Sequence, residues 1–301
     1  MYPKAYRTLR RHWFHRILAF LAGIVLLYAP FALLTRLILW ASGSPLLPDA
    51  HRICMRMPIQ WLAQPWMYST MIQQPAYLVV ILVLPGIALF AGPLFCGWMC
   101  PAGGLTEYLS RIVPPRFQID LGGRVNPVPI RYGFTVGMMV ASFIGGNVCC
   151  SFFNFTHTQN IISAIFGDFT GIAYWASFTV FSFVLWFVVL GLFTKGGRGW
   201  CNLLCPAGAL QGLTHSLGRW LRLGRSVQIQ QSRCSGCKEC LSLCPTWAIS
   251  EKEDTLEVTS HACNVCLDCT KVCNRNAIAY RPNKGSIRQA APEAPEAAQA
   301  N

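Results

Sequence analysis

The stretch "CGWMCPAGGL" (residues 96–105) returns as "CNLLCPAGAL" (residues 201–210), and each copy stands directly after a long apolar run. Each copy therefore puts two cysteines, four residues apart and followed by Pro-Ala-Gly, at the end of a hydrophobic segment. What the repeat means depends on what those segments are. The chain has 301 residues, of which 53% are hydrophobic and 12% charged, too few charges to coat a water-soluble surface. Four stretches, 17–40, 76–95, 132–150 and 172–193, come near the ~20 apolar residues that a hydrocarbon core requires. In the third, Gly133 and Gly137 form a Gly-x-x-x-Gly pair that reads as close helix packing.

The formal net charge of +13 fits membrane orientation better than nucleic-acid binding, because the basic residues flank the apolar segments. Lys4, Arg7, Arg10, Arg11 and Arg16 precede the first segment, and Arg111, Arg116, Arg124 and Arg131 separate the second from the third. Lys195, Arg198, Arg219, Arg222 and Arg225 follow the fourth, whereas the other two connections hold only Arg52 and Arg56. The positive-inside bias then puts the N-terminus, the middle loop and the C-terminal region in the cytoplasm. The first segment is too long for a secretory signal and lacks a small-residue cleavage site, so it is expected to be retained. The expected units are a basic N-terminus (1–16), a four-helix membrane domain (17–226), a small cysteine-rich domain (227–282) and an Ala-, Pro- and Glu-rich disordered tail (283–301).

The small domain carries eight of the fifteen cysteines. Cys234, Cys237, Cys240 and Cys244, then Cys263, Cys266, Cys269 and Cys273, share one C-x2-C-x2-C-x3-C spacing 29 residues apart, and Ala248-Ile249 and Ala277-Ile278 follow at matching offsets. Such a run suits a 4Fe-4S cubane: three closely spaced thiolates wrap one cluster, and the fourth crosses to the other. The expected sets are Cys234, Cys237, Cys240 with Cys273, and Cys263, Cys266, Cys269 with Cys244. Paired zinc sites and a disulfide framework compete; two full four-cysteine runs disfavour the first and a reducing compartment the second. Asn274 stands where the first run has Pro245, which changes a turn preference and leaves the ligands intact.

These motifs together resemble the NapH-type membrane ferredoxins, quinol-dehydrogenase subunits associated with periplasmic nitrate reductase. MauN-like proteins of methylamine utilisation and the membrane half of NosR-type proteins belong to the same wider group. The resemblance covers roughly residues 13 to 282. It implies a polytopic α-helical membrane protein with four transmembrane helices in two parallel repeats of two, followed by an α+β two-cluster bacterial ferredoxin-like domain. It also implies electron transfer between the quinone pool and a periplasmic redox protein or iron–sulfur subunit, with quinol as substrate, in the bacterial inner membrane.

A parallel repeat of helix pairs would bring both Cys-x3-Cys-Pro motifs together on the cytoplasmic side. Residues i and i+4 share a helical face, so Cys96 with Cys100 and Cys201 with Cys205 can present four sulfurs inward. Pro101 and Pro206 are expected to break the turn just after each pair. A third iron–sulfur or metal site and a redox-active thiol pair are both open readings, and cysteine packed as a small hydrophobe is the plain one.

Cys54, Cys149 and Cys150 map to the outer side. They read as a disulfide, as unpaired packing, or with Met55, Met57 and His157 as a soft-ligand copper or cluster site. Quinol oxidation needs a proton acceptor, for which Glu107 after the first motif and His215 after the second are candidates; Asp168 and His157 lie outside. No Cys-x2-Cys-His, no Walker loop and no dinucleotide-binding Gly-x-Gly-x-x-Gly occurs, so covalent haem, nucleotide hydrolysis and a resident nicotinamide site are not expected. The functional expectation is a quinol dehydrogenase-type electron-transfer protein with two 4Fe-4S clusters. The alternative is a membrane reductase that supplies electrons for copper- or haem-protein assembly.

Overall fold

The computed structural model describes residues 3–28, 30–43, 53–54, 56–122, 124–144, 154–173, 177–253 and 255–283. The helices of the first part are α1 (Pro3–Leu27), α2 (Leu33–Ala41), α3 (Arg56–Trp61), α4 (Tyr68–Gln73), α5 (Pro75–Ala91), α6 (Pro101–Ser110) and α7 (Pro127–Ile144). They are followed by α8 (Asn154–Ile165), α9 (Thr170–Ala173), α10 (Ser177–Phe183), α11 (Gly199–Leu203) and α12 (Pro206–Trp220). The small domain holds β1 (Arg225–Ile229), α13 (Glu239–Leu243), β2 (Ile249–Lys252), β3 (Thr255–Val258), α14 (Asp268–Val272) and β4 (Ile278–Pro282).

The apolar segments are helical but interrupted. Residues 17–40 break between α1 and α2, where Ala32 takes φ +43° and the Arg36 guanidinium donates to the freed carbonyls of Phe31 (2.7 Å) and Pro30 (3.1 Å). Residues 76–95 end at Gly92, beyond which 95–99 form a π-helical turn. In the fourth segment α10 runs into a second π-helical stretch, 184–192. Among the described residues no single helix is long and apolar enough to cross a membrane; one pair, Pro65–Gln73 with Ala76–Ala91, reaches that length and composition together, bent by 97°. The expected packing at Gly133 and Gly137 is not found: an added β-carbon at either would have no neighbour within 4 Å. That face of α7 is open, and its neighbours Val136 and Val140 are exposed with it.

The small domain has the two-fold internal repeat read from its cysteines. β1 pairs antiparallel with β4, and β2 with β3. Positive φ recurs at equivalent places: Gly236 with Val265, Lys238 with Leu267, and Trp247 with Asn276. A β-branched residue rarely adopts that conformation, yet Val265 is fully buried. Its side chain fills the space left by Gly92, where an added β-carbon would lie 2.5 Å from Val265 Cγ2. Trp98 Nε1 donates to the Val265 carbonyl (3.0 Å) and the Tyr280 hydroxyl to that of Ala91 (2.8 Å), so the small domain docks against the end of α5 and the turn after it.

Buried charge holds the two parts together. Glu107 on α6, fully buried, takes both oxygens to Arg16 of α1 (2.8 and 2.9 Å), one to Arg198 (2.6 Å), and one to Arg111. Arg16 Nη1 also reaches Asp268 of α14 (2.8 Å), and its Nη2 donates to the Gly97 carbonyl (2.9 Å). His12 Nε2 donates to the Cys266 carbonyl (2.8 Å). Burial alone would raise the Glu107 carboxyl; Arg16, Arg198 and Arg111 overcome this and hold it well below the usual carboxylate range. Its contribution to stability is therefore complete above the ordinary glutamate value of roughly 4.3 and is lost only as pH falls far below it. Glu107→Gln leaves three guanidiniums around a neutral amide, and we expect a loss of about 3–5 kcal/mol, read as a lower unfolding midpoint and faster proteolysis between residues 226 and 282.

Candidate functional site

The four cysteines of the repeated motif line one cavity, whose wall also carries Arg131 and Arg198. Local sequence produces the convergence. Cys100 and Cys205 are the N-cap residues of α6 and α12, in extended conformation, with Pro101 and Pro206 in the first helical position. The prolines therefore start helices and do not merely end a turn, a role to which their fixed φ and missing N–H are suited. The first-turn amides then point at sulfur, Gly208 N lying 3.4 Å from Cys205 Sγ. Cys96 sits in the π-helical turn and Cys201 in α11. The two motifs face each other closely: an added β-carbon on Gly103 would lie 3.2 Å from Cys201 Sγ.

Burial pushes all four thiols up, Cys201 to about 12. Thiolates at this site need cations beside them, and the donor set fits a thiolate-ligated cluster flanked by guanidiniums and helix N-termini. Among the described residues no three His, Cys, Asp or Glu side chains are gathered as a single-ion site.

The small domain holds two further cavities. One is lined by Cys234, Cys237, Cys240 and Cys273, the other by Cys263, Cys266, Cys269 and Cys244. Each fourth cysteine comes from the other half of the repeat, and its sulfur accepts from a backbone amide: Ala248 N to Cys244 Sγ and Ala277 N to Cys273 Sγ, both 3.3 Å. The alanine of each matching Ala-Ile pair is thus the residue whose amide meets the crossing sulfur.

Other candidates fall elsewhere. Glu107, expected as a proton acceptor, is placed at the centre of the ion-pair cluster and lines none of these cavities. His215 on α12 is buried beside Gly92 at the end of α5; burial holds its imidazole down to about 4, and it lines none of the cysteine cavities. His157 faces Ser182 (3.1 Å) and Phe183 inside the helical part, and Asp168 caps Thr170 at the surface. Cys54 is buried against an apolar cavity, while Met55, Cys149 and Cys150 lie outside the described residues. Sequence reasoning missed Arg131, Arg198 and Asp268 as site residues. The signal was present in Arg198, three residues before Cys201, and in Asp268, beside Cys269.

Comparison with known proteins places families on the same segments. A 4Fe-4S binding domain matches residues 73–120 and again 178–224, and a 4Fe-4S dicluster domain matches 233–278. The ferredoxin-type protein NapH of Escherichia coli is 25% identical over 225 residues, 73% of this chain and 71% of that protein. The methylamine utilization ferredoxin-type protein MauN of Methylobacillus flagellatus is 28% identical over 59% of this chain and 56% of its own length. The putative electron transport protein YccM of Escherichia coli is 22% identical over 66% and 53%. The chain thus spans between about half and seven-tenths of the length of these relatives. No solved structure matches it. The chain is a homologue of the NapH and MauN ferredoxin-type proteins, with a 4Fe-4S binding domain matched in two segments and a 4Fe-4S dicluster domain behind them.

Proposed function

We propose that this chain is a membrane-bound iron–sulfur protein of quinol dehydrogenase type, carrying electrons between the quinone pool and a periplasmic redox partner. The succession of cavities carries the reading. An apolar cavity of about 240 Å3, walled by Leu27, Val80, Phe95 and Trp200, shares Cys96, Cys100 and Cys205 with the four-cysteine cavity. That cavity shares Cys263 and Asn264 with the second cavity of the small domain. The cysteine sets therefore run in sequence from an apolar chamber to the solvent-facing domain.

The chamber suits a quinol ring: its walls are apolar, and Gln211 and Arg56 supply polar groups at its edge. Oxidising a quinol releases two electrons and two protons, and 4Fe-4S clusters, when bound, take electrons one at a time. The chain's own residues hold the ring against the cysteine motifs and exclude water. The chamber also reaches Ile53 and Cys54, near the loop expected outside, which supports a diffusing quinol as the link across the slab.

Side-chain distribution supports the membrane setting. Leu37, Trp40, Leu82, Phe143 and Phe181 are exposed, while Ser142, Asn154, His157 and Ser182 are buried in the same helical part. That inversion suits lipid as the surrounding solvent. Breaks in helices are tolerated at membrane depth where protein or a cavity surrounds them.

A second reading, a membrane reductase serving copper- or haem-protein assembly, is favoured by one feature. An open groove of about 600 Å3 carrying Arg219, Arg222 and Arg281 shares Ile229, Leu256 and Ala277 with the first cluster cavity. A soluble donor docked there would drive electrons inward.

Anaerobically purified protein should contain more iron than the roughly eight atoms of two cubanes, and quinol should reduce its centres. Serine at Cys96, Cys100, Cys201 or Cys205 should give one shared defect, loss of quinol-linked reduction with the small domain's spectra retained. Reduction by a soluble donor but not by quinol would favour the second reading. Cys244→Ser should disturb the cluster whose other ligands begin at Cys263, and loss confined to the Cys234 set would refute the crossover. Reporter fusions after Gln60 and Asn160 should be active outside the cytoplasm, and fusions after Pro115 and Ala290 inside. A cytoplasmic signal at Asn160 would remove the four-span topology.

A further inference from the structure

Arg131 opens the first turns of α7 and is only 5% exposed. Its Nη2 donates to the His261 carbonyl, its Nε has no hydrogen-bond partner, and among the described residues no carboxylate lies within ion-pairing distance of it. A buried cation without a counter-charge is costly. The side chain lines the cavity of Cys96, Cys100, Cys201 and Cys205.

The repeat shows what is missing. In the first copy Gly103 makes room for a guanidinium, since its added β-carbon would lie 2.8 Å from Arg198 Nη1, and four residues on Glu107 neutralises that guanidinium at 2.6 Å. In the second copy Gly208 also stands beside a guanidinium, its added β-carbon lying at an ordinary contact distance of 3.5 Å from Arg131 Nη1. The residue equivalent to Glu107 is Gly212, whose added β-carbon would lie 2.9 Å from Arg131 Nη2. One guanidinium has a carboxylate beside it. The other has a glycine in the carboxylate's place and lines the cavity of the four cysteines.

We infer that Arg131 is the counter-cation of the centre held by Cys96, Cys100, Cys201 and Cys205, and that its charge raises that centre's reduction potential. The inference rests on the reading of those four cysteines as an iron–sulfur ligand set. A cubane held by four thiolates is anionic in both oxidation states and becomes more negative on reduction. A fixed cation in a water-poor cavity stabilises the reduced form more than the oxidised one. The centre is then a better acceptor for electrons leaving the apolar chamber beside it. Arg131 acts here as a positioning residue, through charge and not through contact with substrate.

The test is a redox titration of the purified full-length protein, each centre followed by its own paramagnetic signal, in the native chain and in Arg131→Gln and Arg131→Lys. Arg131→Gln should move the third centre to a more negative potential and leave the two small-domain centres where they were. Arg131→Lys, which keeps the charge and loses the planar fork, should stay close to native. Loss of the third signal in Arg131→Gln together with its retention in Arg131→Lys would support the same conclusion, because charge is then what the thiolate set needs in order to assemble. An unmoved potential in Arg131→Gln, or equal behaviour of the two variants, would overturn it. A native protein with iron for two clusters only would instead remove the reading on which the inference stands.

Discussion

One buried carboxylate ties the helical part of this molecule to its small domain. Glu107 receives guanidiniums from α1, from its own helix and from the turn before α11, so three chain segments far apart in sequence meet at one point. Arg16 extends the contact to Asp268, the residue before Cys269, and to the carbonyl of Gly97, the residue after Cys96. Arg198 donates to the Cys96 carbonyl at 2.6 Å. The charge cluster therefore fixes the backbone beside a ligand of the repeated motif and beside one of the small domain. Apolar side chains of similar volume would often serve stability as well. They would not set the position of two cysteine sets relative to each other, and that is the specificity hypothesis we attach to this cluster.

The same carboxylate breaks the symmetry of the repeat. Both copies carry Cys-x3-Cys-Pro-Ala-Gly, both use the proline to begin a helix, and both place the glycine beside a guanidinium. Glu107 has no counterpart in the second copy, where Gly212 lets Arg131 and the His261 carbonyl come close. One half of the repeat is thereby specialised for docking the small domain. The other half leaves a positive charge at the cavity.

Helix interruptions serve the same site. A straight helix through residues 76–95 would carry Cys96 onward along its axis. Gly92 with φ +70° and the π-helical turn that follows redirect the chain so that Cys96 faces Cys201 and Gly92 faces Val265. Irregular backbone of this kind persists where surrounding protein satisfies it, and here Arg16 and Arg198 accept that task through the carbonyls of Gly97 and Cys96.

The cysteine spacings carried the iron–sulfur domains, the internal repeat of the small domain and the partition of its eight cysteines between two cavities, because ligand spacing is local and survives any change of tertiary context. Composition and the apolar runs indicated a largely helical first part, and the duplicated motif indicated that its four cysteines would meet. Pattern alone could not show where the helices break, because a hydropathy window averages over the Pro30 to Ala32 break and the π-helical turns. Nor could it show what Arg16, Arg131 and Arg198 do. Counted along the chain they are orientation charges at the ends of apolar segments, and only folding reveals that each is buried against a partner far away in sequence. The tertiary structure alone decided that Glu107 is held by three cations, because its ionisation depends on neighbours that no local spacing encodes.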